Sequence, residues 1–256
     1  MSVKIAKSAG FCFGVSRAVE MVEQTAETGK KVVTLGPIIH NRHVVDKFQK
    51  MGVGVINTPE EALPGQTVII RSHGVSRDVY RRLEERGVEV IDATCPFVKR
   101  IHSIVSRAEE EGRLPIIIGT RTHPEVEGIA GWCSDCRIFE SPEELSNWAN
   151  GEDCAPNSSF CMVSQTTSTE SLWKMCGNFA KKQFTNLKIF DTICRATEYR
   201  QSEAAELSKS CQAMVVVGDP KSSNTGRLAM ICREHCDKVF LVDNAAELKA
   251  GDFSGV

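Results

Sequence analysis

Three cysteines of this 256-residue chain sit in unusual surroundings: Cys12 in GFCFGV, Cys95 in DATCPFV and Cys194 in DTICRAT. The last two share an approach, Asp-Ala-Thr-Cys against Asp-Thr-Ile-Cys, as though one structural corner had been used twice. Three thiolates from distant segments can hold an iron–sulfur cluster and leave one iron without a protein ligand, a place for substrate. The plainer alternative is three small buried thiols. A competing set is Cys133 and Cys136, a C-x-x-C pair, with Cys232 and Cys236 one helical turn apart. Together they read as a four-thiolate zinc site, and separately as scattered thiols or an oxidisable pair at Cys133 and Cys136. Cys154, Cys161, Cys176 and Cys211 have no metal-like spacing.

Four of the six histidines fall in polar clusters that follow apolar runs: His40 and His43 in HNRH, His73 in RSHG and His123 in THPEVEG. Converging imidazoles of this kind can donate to phosphate oxygens. His102 and His235 look ordinary by comparison. The stretch GDPKSSNTG brings Ser222, Ser223 and Asn224 to a turn before a helix, where hydroxyls, an amide and free N–H groups suit a phosphate or diphosphate; the alternative is a plain N-cap. Glu125 follows His123 beyond a proline, and a carboxyl held there beside Thr166 or Thr167 of SQTT can pass protons to a substrate. Glu127 is the other candidate acid, and either can instead cap a helix.

The elements that would position these groups repeat one grammar of amphipathic helix, glycine, short β-branched strand and polar cluster. Gly29, Gly52, Gly87 and Gly112 stand where a helix ends in a left-handed residue. Helix alternating with strand predicts a parallel α/β architecture. The runs VVTL, VIIR, PIIIG, FCMVS, KIFDT and AMVVVG are continuous rather than alternating, which predicts strands covered on both faces. Each precedes a cluster of unusual chemistry, and ligands of α/β proteins lie at the carboxyl ends of parallel strands. The softest segment, NGEDCAPNSS at 150–159, reads as a loop. No GxGxxG or GxxxxGK[ST] signals a nucleotide site.

A net charge of −2 with about a quarter charged residues gives no global basic field for nucleic acid or acidic lipid. MSVKIAKSAG lacks a signal-peptide pattern and no apolar run is long enough to span a bilayer, so the expectation is a cytoplasmic protein that works away from membranes. Eleven cysteines, an odd number, argue against a structural disulfide framework.

Taken in order, GFCFGVSRA, GPIIHN, RSHG, DATCPFV, THPEVEG, VSQTT, DTICRAT and GDPKSSNT resemble the motifs of the LytB-type reductases of 4-hydroxy-3-methylbut-2-enyl diphosphate, from Cys12 to about Asn224. The resemblance implies a trefoil of three α/β domains, 14–95, 96–193 and 1–13 with 194–256, around a cavity containing a 4Fe-4S cluster. It implies Cys12, Cys95 and Cys194 as cluster ligands, with Cys12 ending a first strand and Phe11 and Phe13 shielding the cluster or packing in the core. It makes His40, His73, Ser222, Ser223 and Asn224 diphosphate ligands and sets His123 near the substrate. Glu125 becomes the proton donor, and Thr166 positions the substrate hydroxyl and that carboxyl. The implied reaction is a reductive dehydroxylation to isopentenyl and dimethylallyl diphosphates, the last step of the methylerythritol phosphate route to isoprenoids. A ferredoxin- or flavodoxin-like protein would supply the electrons. The family continues through a further strand and a turn whose serine also binds diphosphate, whereas this sequence stops at DNAAELKAGDFSGV, so the third domain is expected to lack that part. The alternative from another class is a non-catalytic cluster- or zinc-binding homologue that acts as a sensor or interaction module.

Overall fold

The computed structural model describes residues 2–154 and 158–255. Contacts divide these into a larger unit, 13–39 with 44–193, and a smaller one, 1–12 and 40–43 with 194–256.

In the larger unit two four-stranded sheets are built entirely from parallel pairs. The first has the order β2-β1-β3-β4, from β1 (Lys31–Leu35), β2 (Gly54–Ile56), β3 (Gln66–Ile70) and β4 (Glu89–Asp92). Its register pairs Val33 with Val68 and Ile69 with Ile91. The second has the order β6-β5-β7-β8, from β5 (Leu114–Ile118), β6 (Arg137–Phe139), β7 (Phe160–Ser164) and β8 (Leu187–Ile189).

Continuous apolar runs form the inner strands β1, β3, β5 and β7 because both faces are covered, whereas β8, from the run KIFDT, is an edge strand only partly covered, with Lys188 exposed. Along β5 and β7, Ile116, Ile118, Phe160 and Met162 enter one buried cluster with Trp173 and Phe184. Ile117, Cys161 and Val163 enter another with Ile101, Val105 and Val126. Each fully buried Ile or Phe of this kind is worth about 1.5–3 kcal/mol against exposure.

The covering helices are amphipathic. α1 (Phe13–Glu27) buries Gly14, Ala18, Val22 and Thr25, and α4 (Pro96–Glu110) buries Val98, Ile101, His102, Val105 and Ala108. α2 (Arg42–Lys50) and α3 (Arg77–Glu85) complete the first half, and α5 (Pro124–Ala130), α6 (Pro142–Ala149) and α7 (Glu170–Gln183) the second. Gly29, Gly52, Gly87 and Gly112 end their helices at φ of +74°, +85°, +63° and +68°, the left-handed conformation their positions predicted.

The smaller unit pairs β9 (Met214–Val217) with β10 (Val239–Val242) in parallel, with α8 (Arg195–Ser210) and α9 (Ser223–Arg233) as its helices. Two expectations fail here. β9 is not covered on both faces, since Val217 is 66% exposed. Cys12 does not end a strand, because residues 2–12 form none. Val3 and Ile5 are each 81% exposed, and the backbone nearby is held by α8 side chains instead of a ladder. Glu203 accepts the N–H groups of Lys7 (2.7 Å) and Ser8 (2.9 Å), while Arg200 donates to the carbonyls of Ser8 (3.1 Å) and Gly10 (2.6 Å).

Of the expected loop 150–159, residues 155–157 lie outside the described residues, and the rest carries no helix or strand. Among the described residues no helix is long and apolar enough to cross a membrane.

Candidate active site

The loops after β5 and β7 meet at the start of α5. His123 is its N-cap, and the imidazole Nδ1 accepts the N–H of Glu125 (3.1 Å), which leaves Nε2 as the protonated nitrogen of the neutral ring. Pro124 at the first helical position fixes the entry. Glu125 is 2% exposed, and both carboxylate oxygens are held by one residue of the β7 loop. Oε1 accepts the Thr166 N–H (2.6 Å) and Oε2 the Thr166 hydroxyl (2.7 Å). Gln165 ties the loops further by accepting the Thr120 N–H at 3.1 Å. The result is a buried carboxyl group clamped beside an imidazole.

A second loop, after β3, brings His73 to the same place: the His73 and His123 rings lie edge to face with centroids 5.5 Å apart. This loop is pressed onto α4 and the end of α5 so closely that side chains are excluded at several points. A Cβ on Gly74, whose φ is +73°, would come 2.6 Å from the His102 ring, and one on Gly131 would come 2.1 Å from the Ser76 Cβ. The Arg77 N–H donates to Gly131 O (3.1 Å) and the Trp132 indole to Val75 O (2.9 Å). Trp132 stacks on His102, with ring centroids 4.9 Å apart. Burial depresses the pKa of His102 to about 4 and keeps it neutral.

Ahead of His73, Arg71 is largely buried with its Nη1 against Gly36, where a Cβ would sit 2.5 Å away. Burial lowers its pKa, opposed by the charge of Glu127. The Ser72 N–H donates to Ile38 O (3.1 Å), which joins this loop to the GPIIHN turn that leads to His40.

The cysteine corners do repeat. Asp92 Oδ1 accepts the N–H of Thr94 (2.9 Å), the residue before Cys95; Asp191 Oδ1 accepts the N–H of Ile193 (3.3 Å), the residue before Cys194. A third copy lies before Ser222, where Asp219 Oδ1 accepts the N–H of Lys221 at 2.8 Å. Burial pushes the Asp92 carboxyl up, but Lys99 at 2.6 Å and Thr94 outweigh it and hold it below its ordinary value.

Cys95 and Cys194 are the N-cap residues of α4 and α8, Ser222 is that of α9, and Cys12 directly precedes α1. Cys95 is anchored to the His73 loop through its N–H to Ser72 O (2.9 Å). Ser223 and Asn224 open the first turn of α9. His43 pairs with Asp243 at 3.3 Å.

Within the larger unit the fold therefore gathers His73, His123, Glu125 and Thr166, with Cys95 beside the His73 loop. Cys12, Cys194, His40, Ser222, Ser223 and Asn224 belong to the smaller unit. Phe11 and Phe13 are 49% and 67% exposed, which removes core packing as their role. Among the described residues no group of three close ligand atoms includes Cys133, Cys136, Cys232 or Cys236, so the zinc reading gains no support. The sequence reading did not single out Arg71, Trp132, Gly74, Gly128 or Gly131. Their only signal was position, next to RSHG and THPEVEG, and tight backbone approach has no periodicity to detect.

The donor set fits an iron–sulfur group. Cys12, Cys95 and Cys194 carry soft sulfur donors, none of them in a disulfide, at helix starts, where the helix N-terminus favours negative charge. Gly14 keeps space beside Cys95, for a Cβ there would stand 2.6 Å from its sulfur.

The family described as LytB protein matches residues 3–256. The chain is 45% identical over 253 residues to the 4-hydroxy-3-methylbut-2-enyl diphosphate reductase of Thermoanaerobacter sp. (strain X514), covering 97% of this chain and 86% of that one. It is 37% identical over 250 residues to the reductase of the same description from Clostridioides difficile (strain 630), covering 97% and 88%. Among solved structures it is similar to (E)-4-hydroxy-3-methyl-but-2-enyl diphosphate reductase, described as the terminal enzyme of the non-mevalonate pathway, with 36% identity, a TM-score of 0.70 and coverage of 99% and 90%. It is also similar to the E-1-hydroxy-2-methyl-but-2-enyl-4-diphosphate reductase from Plasmodium falciparum, with 27% identity, a TM-score of 0.90 and coverage of 96% and 78%.

Proposed function

The chain belongs to the LytB protein family, and on that premise we propose that it reduces 4-hydroxy-3-methylbut-2-enyl diphosphate to isopentenyl and dimethylallyl diphosphates. The observation that carries this reading is the buried Glu125 carboxyl, clamped by Thr166 beside the paired imidazoles of His123 and His73. The overall change adds two electrons and two protons to an allylic alcohol and releases water.

Cys12, Cys95 and Cys194 would hold a 4Fe-4S cluster, which when bound supplies one-electron chemistry and an iron without a protein ligand. His40, His73, Ser222, Ser223 and Asn224 bind the diphosphate, the imidazoles and hydroxyls donating to its oxygens. His123 lies along the substrate, its ring oriented by the bond that Nδ1 accepts from the Glu125 N–H at the helix start. The Thr166 hydroxyl orients both the Glu125 carboxyl and the substrate hydroxyl. Glu125 gives the proton that lets the hydroxyl leave as water, and its burial keeps bulk solvent from competing.

The electrons come from a ferredoxin- or flavodoxin-like protein, and the enzyme works in the cytoplasm. Domain limits of 14–95, 96–193 and 1–13 with 194–256 suit the three parallel sheets, one within each.

The Glu125→Gln variant tests the assignment. It retains an acceptor for Thr166 and loses the acid, so turnover should fall about 10²- to 10⁴-fold while iron and sulfide per chain stay as in the parent protein. Unchanged turnover would remove Glu125 from the reaction.

A further inference from the structure

Cys133 and Cys136 lie at the far end of α5 from the candidate site, on either side of a bend over residues 133–135 that leads into β6. Both are partly exposed and in no disulfide, and a hydrogen bond links their sulfurs. The bend is held from several sides. The Cys133 thiol reaches Ala130 O (3.4 Å), the Ser134 N–H donates to Glu109 Oε1 (2.5 Å), and Asp135 pairs with Arg137 (2.5 Å). Cys133 and Cys136 also pack against the buried cluster that contains Ile101, Val126 and Ile129.

Cys136 lines an open concavity of about 410 Å³, together with Arg137, Phe139 and Glu144. The two thiols are unequal. The hydrogen bond to Cys136 and burial raise the pKa of Cys133, whereas the bond from Cys133 lowers that of Cys136 in spite of its burial. Such asymmetry is general in reactive C-x-x-C pairs. Among the described residues no third Cys, His or carboxylate joins them to make a metal site.

We propose that Cys133 and Cys136 are a reversible dithiol–disulfide site that exchanges with low-molecular-weight disulfides of the glutathione type. The Cys136 thiolate attacks one sulfur of the small disulfide, so that a protein–small-molecule S–S bond forms and one small thiolate leaves. Cys133 then loses its proton and attacks the Cys136 sulfur, closing the protein disulfide and expelling the second thiolate. The protein pair gives up two electrons and two protons, and one disulfide becomes two thiols. The same steps run backwards with excess reduced thiol.

The test equilibrates the cluster-loaded protein, under anaerobic conditions, with graded ratios of reduced and oxidised glutathione, traps free thiols with an alkylating reagent and maps the peptides by mass spectrometry. The expected result is joint loss of both alkyl tags from the peptide spanning 133–136, with the mass of two hydrogens removed, over one narrow range of ratios and reversed by added reduced thiol. In Cys133→Ser, a glutathione adduct should accumulate on Cys136. Full alkylation of both cysteines at every ratio would overturn the proposal, as would a Cys136 adduct in the parent protein that never resolves to the internal disulfide.

Discussion

Replacing Gly14 by alanine separates the stability of the polypeptide from its capacity to keep a cluster. Gly14 is the second residue of α1, and an added Cβ would stand 2.6 Å from Cys95 Sγ and 3.2 Å from Cys95 Cβ. Alanine gains about 1 kcal/mol of helix propensity over glycine, while pushing a methyl group into a packed neighbour costs about 1–3 kcal/mol. In the cluster-free protein the sulfur ends a side chain with one torsion and can rotate out of the way, so the two effects nearly cancel and the urea midpoint moves little. Where Cys95 serves as a cluster ligand, as proposed, that rotation is lost, and the full cost of about 1–3 kcal/mol falls on the loaded state, a retention weaker by about 5- to 150-fold. The assay counts iron and acid-labile sulfide per chain after anaerobic exposure to a chelator. Gly177→Ala is the control: nothing lies within 4 Å of the added carbon in α7, so it should stabilise by about 0.5–1 kcal/mol and leave iron retention unchanged. Parent-like retention in Gly14→Ala would refute the idea that the glycine reserves space for a ligating sulfur.

Thr166→Val keeps the shape and the backbone donor but removes the 2.7 Å hydroxyl donation to Glu125, and should cost about 1 kcal/mol in urea unfolding. A loss under about 0.5 kcal/mol would mean that the hydroxyl bond contributes little to holding the Glu125 carboxyl. His102 gives a pH signature. Its pKa falls from 6.5 unfolded to about 4 folded because burial favours the neutral ring, so the unfolded chain binds the extra proton. Its contribution is therefore complete above pH 6.5 and is lost progressively as the pH falls towards 4, about 3 kcal/mol in all. His102→Gln should remove that loss from the stability–pH curve, and an unaltered slope between pH 6.5 and 4 would show that His102 is not the titrating group.

Local rules made much of the fold legible. A glycine after an amphipathic run marks a helix end because only glycine enters the left-handed region without strain, as at Gly29, Gly52, Gly87 and Gly112. Unbroken apolar runs such as FCMVS mark strands sandwiched between helices, and every residue of β7 is buried. The same rule misled at AMVVVG, where apolar character is present but covering layers are not, leaving Val215 and Val217 exposed. In the candidate site, motif position pointed to Glu125 and Thr166, since both follow adjacent parallel strands. The contact between the His73 loop and α5 was illegible: it depends on Gly74, Gly128 and Gly131 meeting residues distant in sequence, and no spacing encodes that approach.

The repeated aspartate corner explains why the two cysteines stand where they do. At Cys95, Cys194 and Ser222 alike, an aspartate three residues earlier takes the N–H just before the corner, and the corner carbonyl accepts the N–H four residues on at 3.0 Å. Backbone geometry is thus common to all three, and the difference lies in the side chain. Ser222 caps its helix by accepting the Thr225 N–H, whereas Cys95 and Cys194 make no cap hydrogen bond. Serine, threonine or aspartate in their place would be worth about 1 kcal/mol to each helix. Two helix starts therefore forgo a stabilisation that the third obtains with the same fold. A thiol that does not cap its helix is not spent on the helix's own N–H groups, and those groups favour negative charge at that spot. Stability conceded at a fixed geometric position, twice and with the same residue type, distinguishes these cysteines from Cys161 and Cys176, which lie buried among apolar side chains.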